Sequence, residues 1–232
     1  MKKLFFLSLL LLFTRPTFSQ DNWFMTYTDS IMLVADANKI SEAFIGDIHK
    51  IAPDLNFGPH TVLNTTPAMI YYENKTVNLP LWEQLPPPLV DFLYEVSGGE
   101  SEGKEVFGLF FNGFYLPHEL GHALQDRAEQ GLAGSYKNEY FANTVAMLWW
   151  RKEGRQDALE QCYGYAKKML ATLPDPVPED TTANAFFTEH YGEALQNPYV
   201  YGFMQFSQFV DIYGDSSLPE FDAFIRTYLG KN

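Results

Sequence analysis

Two histidines and a glutamate lie within five consecutive residues. His118 and His122 are four positions apart, and Glu119 follows the first histidine directly. On an α-helix, residues at this spacing leave the same face, about 40° apart and about 6 Å along the axis. Two neutral imidazoles so placed can bind one Zn²⁺ ion at roughly 2.0–2.1 Å. Glu119 lies about 100° round the helix, beside the ion, where it can act as general base on an activated water.

A catalytic zinc site needs a third protein ligand and one open position. We predict that Glu139 is this ligand. The residues between His122 and Glu139 allow the first helix to end, a turn to form at Gly131 and Gly134, and a second helix to return past the site. A histidine pair with one glutamate is a recurrent catalytic ligand set.

Three other residues are alternatives for the third ligand. Asp126 shares the helical face of the histidines but lies one turn beyond His122, too far along to reach the same ion easily. Glu129 falls near the predicted end of that helix, where we expect it to be exposed. His190 is possible, although it is distant in sequence.

The combined pattern resembles the gluzincin metallopeptidases, which include the thermolysin-like and aminopeptidase N-like enzymes. Their HExxH motif is followed downstream by Asn-Glu on a second helix, and here His118-Glu119-Leu120-Gly121-His122 and Asn138-Glu139 match it. No third histidine follows at the short spacing typical of metzincins. The resemblance covers about residues 116–146. It implies a zincin-like fold, one catalytic Zn²⁺ and hydrolysis of peptide bonds.

The resemblance also implies side chains that support the ligands, and here the chain departs from the pattern. Thermolysin-like enzymes have an Asp four residues after the glutamate ligand, where it supports a zinc-binding histidine. This chain has Asn143, a neutral side chain that can still accept a hydrogen bond from an imidazole. We expect Asn143 and Asn138 to be supporting residues of this kind.

Hydrolysis also requires a donor for the oxyanion that forms during attack on a carbonyl. Related enzymes use a His or a Tyr, which makes His190 and Tyr191 the candidate catalytic residues beside Glu119. Tyr199 and Tyr201 are further candidates. Glu119 would pass the proton that it accepts to the leaving amine.

The elements that must position these residues divide the chain into two parts. The N-terminal part contains a β-prone stretch at Trp23–Tyr27, a helix at Asp36–Ile51, a hairpin within Pro67–Pro80, a short helix ending at Tyr94 and a loop at Ser97–Lys104. Either hairpin arm could bind an extended substrate as an added strand. An ordinary hairpin that packs its apolar side inward fits the sequence equally well.

The remainder of the chain is mostly helical. Predicted helices are Glu105–Arg127 with a disturbance at Pro117, Tyr136–Lys152, Gln156–Leu173, Ala183–Gln196, Val200–Ile212 and Leu218–Leu229. The predicted fold class is therefore α+β and zincin-like, with a small N-terminal β-containing part and a mostly helical C-terminal lobe.

Bulk properties limit the location and the partners. A basic start, an apolar run from Leu4 to Phe13 and small residues near Ser19 predict a signal peptide at residues 1–19 and one domain at residues 20–232. The apolar run is too short to be a stable membrane anchor, so we expect a secreted or periplasmic protein.

The charge and the cysteine content limit the partners and the kinds of site. The formal net charge of −13 disfavours nucleic acid as a partner. Cys162 is the only cysteine, which excludes an intramolecular disulfide and a cysteine-based zinc site, and we expect it to be buried.

The sequence leaves three functions open. The first is a zinc peptidase that acts on a peptide or protein substrate. The second is a zincin-like protein in which the metal organises the fold or a binding surface without catalysis. The third is a zinc hydrolase of non-peptide amides. Signatures of serine hydrolases, nucleotide binding and dithiol chemistry are missing from the sequence.

Overall fold

A computed structural model describes residues 23–129 and 135–231. The predicted signal peptide and the predicted turn at Gly131 and Gly134 lie outside the described residues. The helices are α1 (Ser30–Ile51), α2 (Pro87–Ser97), α3 (Glu100–Leu109), α4 (Tyr115–Arg127), α5 (Tyr136–Lys152), α6 (Gln156–Leu170), α7 (Ala183–Glu189), α8 (Tyr191–Ala194), α9 (Pro198–Gly214) and α10 (Phe221–Tyr228). The strands are β1 (His60–Leu63), β2 (Tyr71–Glu73) and β3 (Thr76–Leu79). The described residues form mostly helices and one small sheet. This confirms the predicted α+β class but does not test whether the fold is zincin-like.

The sheet has the strand order β1-β3-β2, with β3 parallel to β1 and antiparallel to β2. Asn74 and Lys75 both have positive φ, at 49° and 65°, which is the backbone of a tight two-residue hairpin turn. The predicted hairpin is therefore confirmed, while β1 was not predicted. Because β3 is the central strand, only β2 of the two hairpin arms has an edge without a partner strand among the described residues.

The segment Trp23–Tyr27 is not a strand, contrary to the prediction. It packs against the helices instead, and the indole Nε1 of Trp23 donates to the Gly113 carbonyl at 3.3 Å. Pro117 has no N–H, so it cannot donate to the carbonyl four residues earlier, which is that of Gly113. The Trp23 indole occupies this acceptor.

The predicted long helix around Pro117 is interrupted. α3 begins at Glu100, inside the segment predicted as a loop, and continues into a π-helical turn at Phe110–Phe114 before α4 begins at Tyr115. The extra residue in a π turn shifts the helical register locally. Pro117 consequently lies in the first turn of α4, where a missing N–H costs little.

Helix starts follow from capping side chains. The Asp29 carboxylate accepts from the N–H groups of Ile31 and Met32, so α1 begins at Ser30, six residues before its predicted start. The Ser135 hydroxyl accepts from the Asn138 N–H, and α5 has the bounds that the sequence predicts. The predicted helix Ala183–Gln196 is divided at His190 into α7 and α8.

The core surrounds α4 and α5. Trp149 and Trp150 at the C-terminal end of α5 are fully buried, as expected for core residues. Cys162 is also fully buried, its Sγ lies 3.7 Å from the Leu109 carbonyl, and burial raises the pKa of its thiol. Among the described residues, no helix combines the length and hydropathy needed to cross a membrane.

Candidate metal centre

Close packing of α4 on α5 brings the predicted ligands together. A Cβ atom on Gly121 would lie 3.1 Å from the Ala142 Cα, so the two helix backbones meet where only glycine fits comfortably. His118 and His122 lie on successive turns of α4, and Glu139 lies in the first turn of α5. The His118 and Glu139 side chains are almost fully buried, at 3% and 5% exposure, whereas that of His122 is 21% exposed.

Three ligand atoms form a nearly equilateral triangle. His118 Nε2 and His122 Nε2 are 3.1 Å apart, and Glu139 Oε2 lies 3.3 Å from the first and 3.5 Å from the second. Ligands about 2.0–2.1 Å from a tetrahedral zinc are separated by about 3.3–3.4 Å. The three edges match this separation, so one ion could contact all three atoms.

The hydrogen-bond partners of His118 fix the state of its ring. Gln208 Nε2 donates to the Tyr136 carbonyl at 3.0 Å, and a carbonyl can only accept. Gln208 Oε1 is therefore free to accept from Asn143 Nδ2 at 2.9 Å, which directs Asn143 Oδ1 towards His118 Nδ1, also at 2.9 Å. His118 Nδ1 then carries the hydrogen, and Nε2 presents a lone pair to the centre.

His122 is held in the same way. Its Nδ1 lies 2.9 Å from Gln125 Oε1, and Gln125 Nε2 donates to Asn138 Oδ1 at 3.2 Å. Both predicted supporting asparagines thus lie behind the ligands, Asn143 directly and Asn138 through Gln125. The two Nε2 atoms and the Glu139 carboxylate converge on one point. With both rings neutral and hydrogen on Nδ1, this donor set would fit a dication.

The electrostatics of the centre favour positive charge at this point. Burial would lower the pKa of His122, but the charge of Glu139 and its hydrogen bond outweigh burial and raise this pKa to about 9. Burial would likewise raise the pKa of the Glu139 carboxyl, but the positive charge of His122 and its hydrogen bond hold this pKa well below its usual range. The ligand Glu139 is therefore ionised, as metal binding requires.

Glu119 is the other acid at the centre. Its Oε1 lies 3.9 Å from His118 Nε2, and a carboxylate oxygen of Glu119 comes close enough to both histidines to be a ligand. Glu139 fits the position of a third ligand better than Glu119 does, because its Oε2 makes the shorter distances to both rings. Burial raises the pKa of Glu119, against the opposing charges of the histidines and a hydrogen bond from the Tyr72 main chain. A raised pKa suits a group that must accept and return a proton.

The two neighbouring candidates for the oxyanion donor lie in different places. The Tyr191 hydroxyl lines the cleft described below and donates to Glu139 Oε1 at 2.6 Å, and its pKa is raised by burial and by the charge of Glu139. The structure does not bring His190 to the centre. Its ring is 39% exposed at the break between α7 and α8, and its Nδ1 lies 3.2 Å from Glu193 Oε2.

The centre opens into a cleft of about 850 Å³. One wall is the segment Pro67–Asn74, which includes β2, and the opposite wall includes Tyr201 and Phe206 of α9. Asp126 also lines this cleft, where its Oδ2 accepts from the Tyr72 hydroxyl at 2.8 Å. The other alternative ligand, Glu129, is exposed.

Sequence reasoning missed three glutamines that hold the centre: Gln125, Gln205 and Gln208. Gln125 follows His122 by three residues on the same helix, so helical spacing alone could have indicated it. Gln205 and Gln208 contact Asn143 from more than sixty residues away, and no local pattern predicts such a contact. Comparisons with protein-family models, curated proteins and solved structures found no match to this chain.

Proposed function

We propose that this protein is an exported zinc-dependent peptidase with a zincin-like fold and a gluzincin-type site. The observation that carries the proposal is the triangle of His118 Nε2, His122 Nε2 and Glu139 Oε2, whose edges suit one tetrahedral ion. Export rests on the sequence of residues 1–19 and on no structural observation.

Zinc held by these three residues would supply a Lewis acid that polarises a carbonyl and lowers the pKa of water. Glu119, buried beside the histidines, would accept the proton of the attacking water and return it to the leaving amine. Tyr191 is the proposed second donor to the oxyanion, because its hydroxyl lines the cleft; its single O–H would turn from Glu139 Oε1 to the oxyanion during attack. Tyr199 lies elsewhere, with its hydroxyl bound to Glu95 at 2.6 Å.

The cleft favours a peptide as the substrate. Its wall at β2 offers the strand edge that has no partner among the described residues, and an extended peptide could pair with that edge. None of the described residues that line the cleft is Lys or Arg. This lining suits a neutral peptide segment better than a phosphorylated substrate.

Replacement of Glu119 by Gln tests the mechanism. We expect Glu119→Gln to bind zinc stoichiometrically and to lose about 10²–10⁴-fold in cleavage of casein or a peptide library, because the general base is removed. Glu129→Gln is the matched control, since it makes the same change at an exposed residue. Elemental analysis measures zinc, and mass spectrometry of the products measures cleavage.

Each other outcome of this experiment counts against the proposal in a defined way. Equal cleavage by wild type and Glu119→Gln would rule out Glu119 as the base. Zinc binding by the wild type without cleavage of any peptide would favour the alternative in which the metal has a structural or binding role. Absence of zinc from the purified wild type, after incubation with excess zinc, would reject the metal site.

A further inference from the structure

Gln205 connects two of the proposed metal ligands. Its side chain is buried on α9, and its Nε2 donates to Glu139 Oε2 at 2.6 Å. Its Oε1 accepts from Asn143 Nδ2 at 2.9 Å, and Asn143 in turn accepts from His118. The hydrogen bonds therefore run from His118 through Asn143 and Gln205 to Glu139, and the two ends of this path face the same point.

The direction of these hydrogen bonds is determined by Gln208. The Tyr136 carbonyl fixes the Gln208 amide, which fixes Asn143 with its Nδ2 towards both glutamines. Gln205 must then present Oε1 to Asn143, which leaves Nε2 to donate to Glu139. A reversed Gln205 amide would place its oxygen against Glu139 Oε2 at one end and its NH₂ group against the Asn143 NH₂ group at the other.

Hydrogen bonds also divide the roles of the Glu139 oxygens. Tyr191 donates to Oε1 and Gln205 donates to Oε2, each at 2.6 Å. Oε2 is also the oxygen that faces the two histidines, and a carboxylate oxygen has a second lone pair to offer. The carboxylate is held so that one oxygen points at the centre and the other is occupied.

We propose that Gln205 is a positioning residue of the metal site, which holds Glu139 Oε2 in its ligating orientation and couples it to His118 through Asn143. This inference rests on the proposed metal site. It also gives a physical reason for the neutral residue at position 143. An Asp there would lack the Nδ2 donor, so Gln205 would lose the partner that orients it towards Glu139.

The test compares Gln205→Met with Gln161→Met, which makes the same change at an exposed glutamine of α6. We expect Gln205→Met to weaken zinc binding by about 10–100-fold, the usual loss when an outer hydrogen-bond partner of a ligand is removed. Competition with a chromogenic chelator measures this affinity. We also expect the visible absorption bands of the Co²⁺-loaded protein to shift, because Glu139 loses its fixed orientation.

Asn143→Asp separates coupling through Gln205 from simple support of His118. If Asn143 only supported His118, Asp would maintain or strengthen zinc binding, since a carboxylate is the stronger acceptor. We expect weaker binding instead. We also expect the Asn143→Asp and Gln205→Met losses to be less than additive in the double variant, because both act on Glu139.

Other outcomes would overturn the inference. Gln205→Met with wild-type zinc affinity and an unchanged Co²⁺ spectrum would exclude a positioning role, even if the melting temperature of the metal-free protein fell. Tighter zinc binding by Asn143→Asp would exclude the coupling. Failure of the wild type to bind zinc or Co²⁺ would instead reject the proposed metal site.

Discussion

Helix α5 has a polar cluster around a buried carboxylate at each end, Glu139 at the N-terminal end and Asp47 at the C-terminal end, and the two balance their charges in different ways. At the C-terminal end, Asp47 of α1 accepts from the Trp149 indole at 3.3 Å and pairs with Lys152 at 3.0 Å and Lys50 at 2.8 Å. Lys152 also pairs with Asp222 of α10 at 2.6 Å. This cluster is complete, because the carboxylate has cations and a donor around it.

The cluster at the N-terminal end balances its carboxylate with a titratable imidazole, because Glu139 raises the pKa of His122 to about 9. Two imidazole Nε2 atoms and the Glu139 carboxylate meet there, with Glu119 close by. No Lys or Arg occurs among the described residues that line the adjoining cleft. Behind the two imidazoles, the amide oxygens of Asn143 and Gln125 accept from Nδ1, and these neutral amides add no charge of their own.

The difference shows how a binding centre can be distinguished from a structural ion pair. A structural cluster supplies its own counter-charges and joins helices, here α1, α5 and α10. A candidate metal centre arranges its groups around a point, where a metal ion can replace a titratable proton. The comparison predicts that changes at one end of α5 affect metal binding and changes at the other end affect folding stability.

Glu139→Ala should give the largest effect on metal binding. Loss of a ligand should weaken zinc binding by more than the roughly 100-fold upper range for loss of an outer partner. Chelator competition measures this affinity, and calorimetry of the metal-free protein measures stability. Asp47→Ala is the control at the other end of α5, and we expect it to retain wild-type zinc affinity. Equal zinc affinity of Glu139→Ala and wild type would show that Glu139 is not a ligand.

The proximity of His118, His122 and Glu139 could be predicted from sequence because their spacing on helices is local information. His118 and His122 follow helical geometry, and α5 begins at a recognisable Ser135 cap. The number of residues between His122 and Glu139 only had to allow one helix to end and a second helix to return alongside it. Gln205 and Gln208 could not be predicted, because their contacts with Asn143 depend on how α9 packs against α5.

The fold predictions that proved wrong have similar physical causes. β1 is a short strand whose partner β3 lies after an intervening strand, so its parallel pairing is not a local feature. Two glycines, Gly98 and Gly99, suggested a loop through Lys104, whereas they end α2 and precede α3. His190 was predicted beside Tyr191 at the site, but the helix breaks between α7 and α8 and separates their side chains.

Gly121→Val should give the next largest effect on metal binding. The valine Cβ would lie 3.1 Å from the Ala142 Cα, so α4 must move away from α5 and both histidines from Glu139. We expect zinc affinity to fall by at least about tenfold, comparable to loss of an outer partner. Gly164→Val on α6 is the control, because its Cβ position is open. Unchanged affinity in Gly121→Val would mean that the helices need not be this close.

Asp47→Ala should lower stability by about 1–3 kcal/mol, because the buried Trp149 indole loses its acceptor. Chemical denaturation of the metal-free protein measures this loss. Asp54→Ala, at an exposed residue just after α1, is the matched control. If Asp47→Ala were as stable as the wild type, the ion-pair cluster would contribute nothing to folding. The two ends of α5 would then not differ in their effect on stability.

The pH dependence of the Asp47 contribution should be the smallest effect. Burial would raise the pKa of Asp47, but hydrogen bonds and charges from Lys50 and Lys152 lower it below its usual value. A lowered pKa in the folded state gives stability that is present above the unfolded pKa and is lost as pH falls through the folded value. The stability difference between wild type and Asp47→Asn should therefore be constant above about pH 5 and shrink below about pH 4.

This difference should be smaller than the loss in Asp47→Ala, because Asn keeps an acceptor for Trp149. Other carboxyls, including Glu139, titrate in both proteins and cancel in the subtraction. Denaturation curves at a series of pH values measure the difference. If the stability difference between wild type and Asp47→Asn widened as the pH fell, the folded state would favour protonated Asp47. Lys50 and Lys152 would then not balance the Asp47 carboxylate, and this cluster would not differ from the candidate metal centre in the way described above.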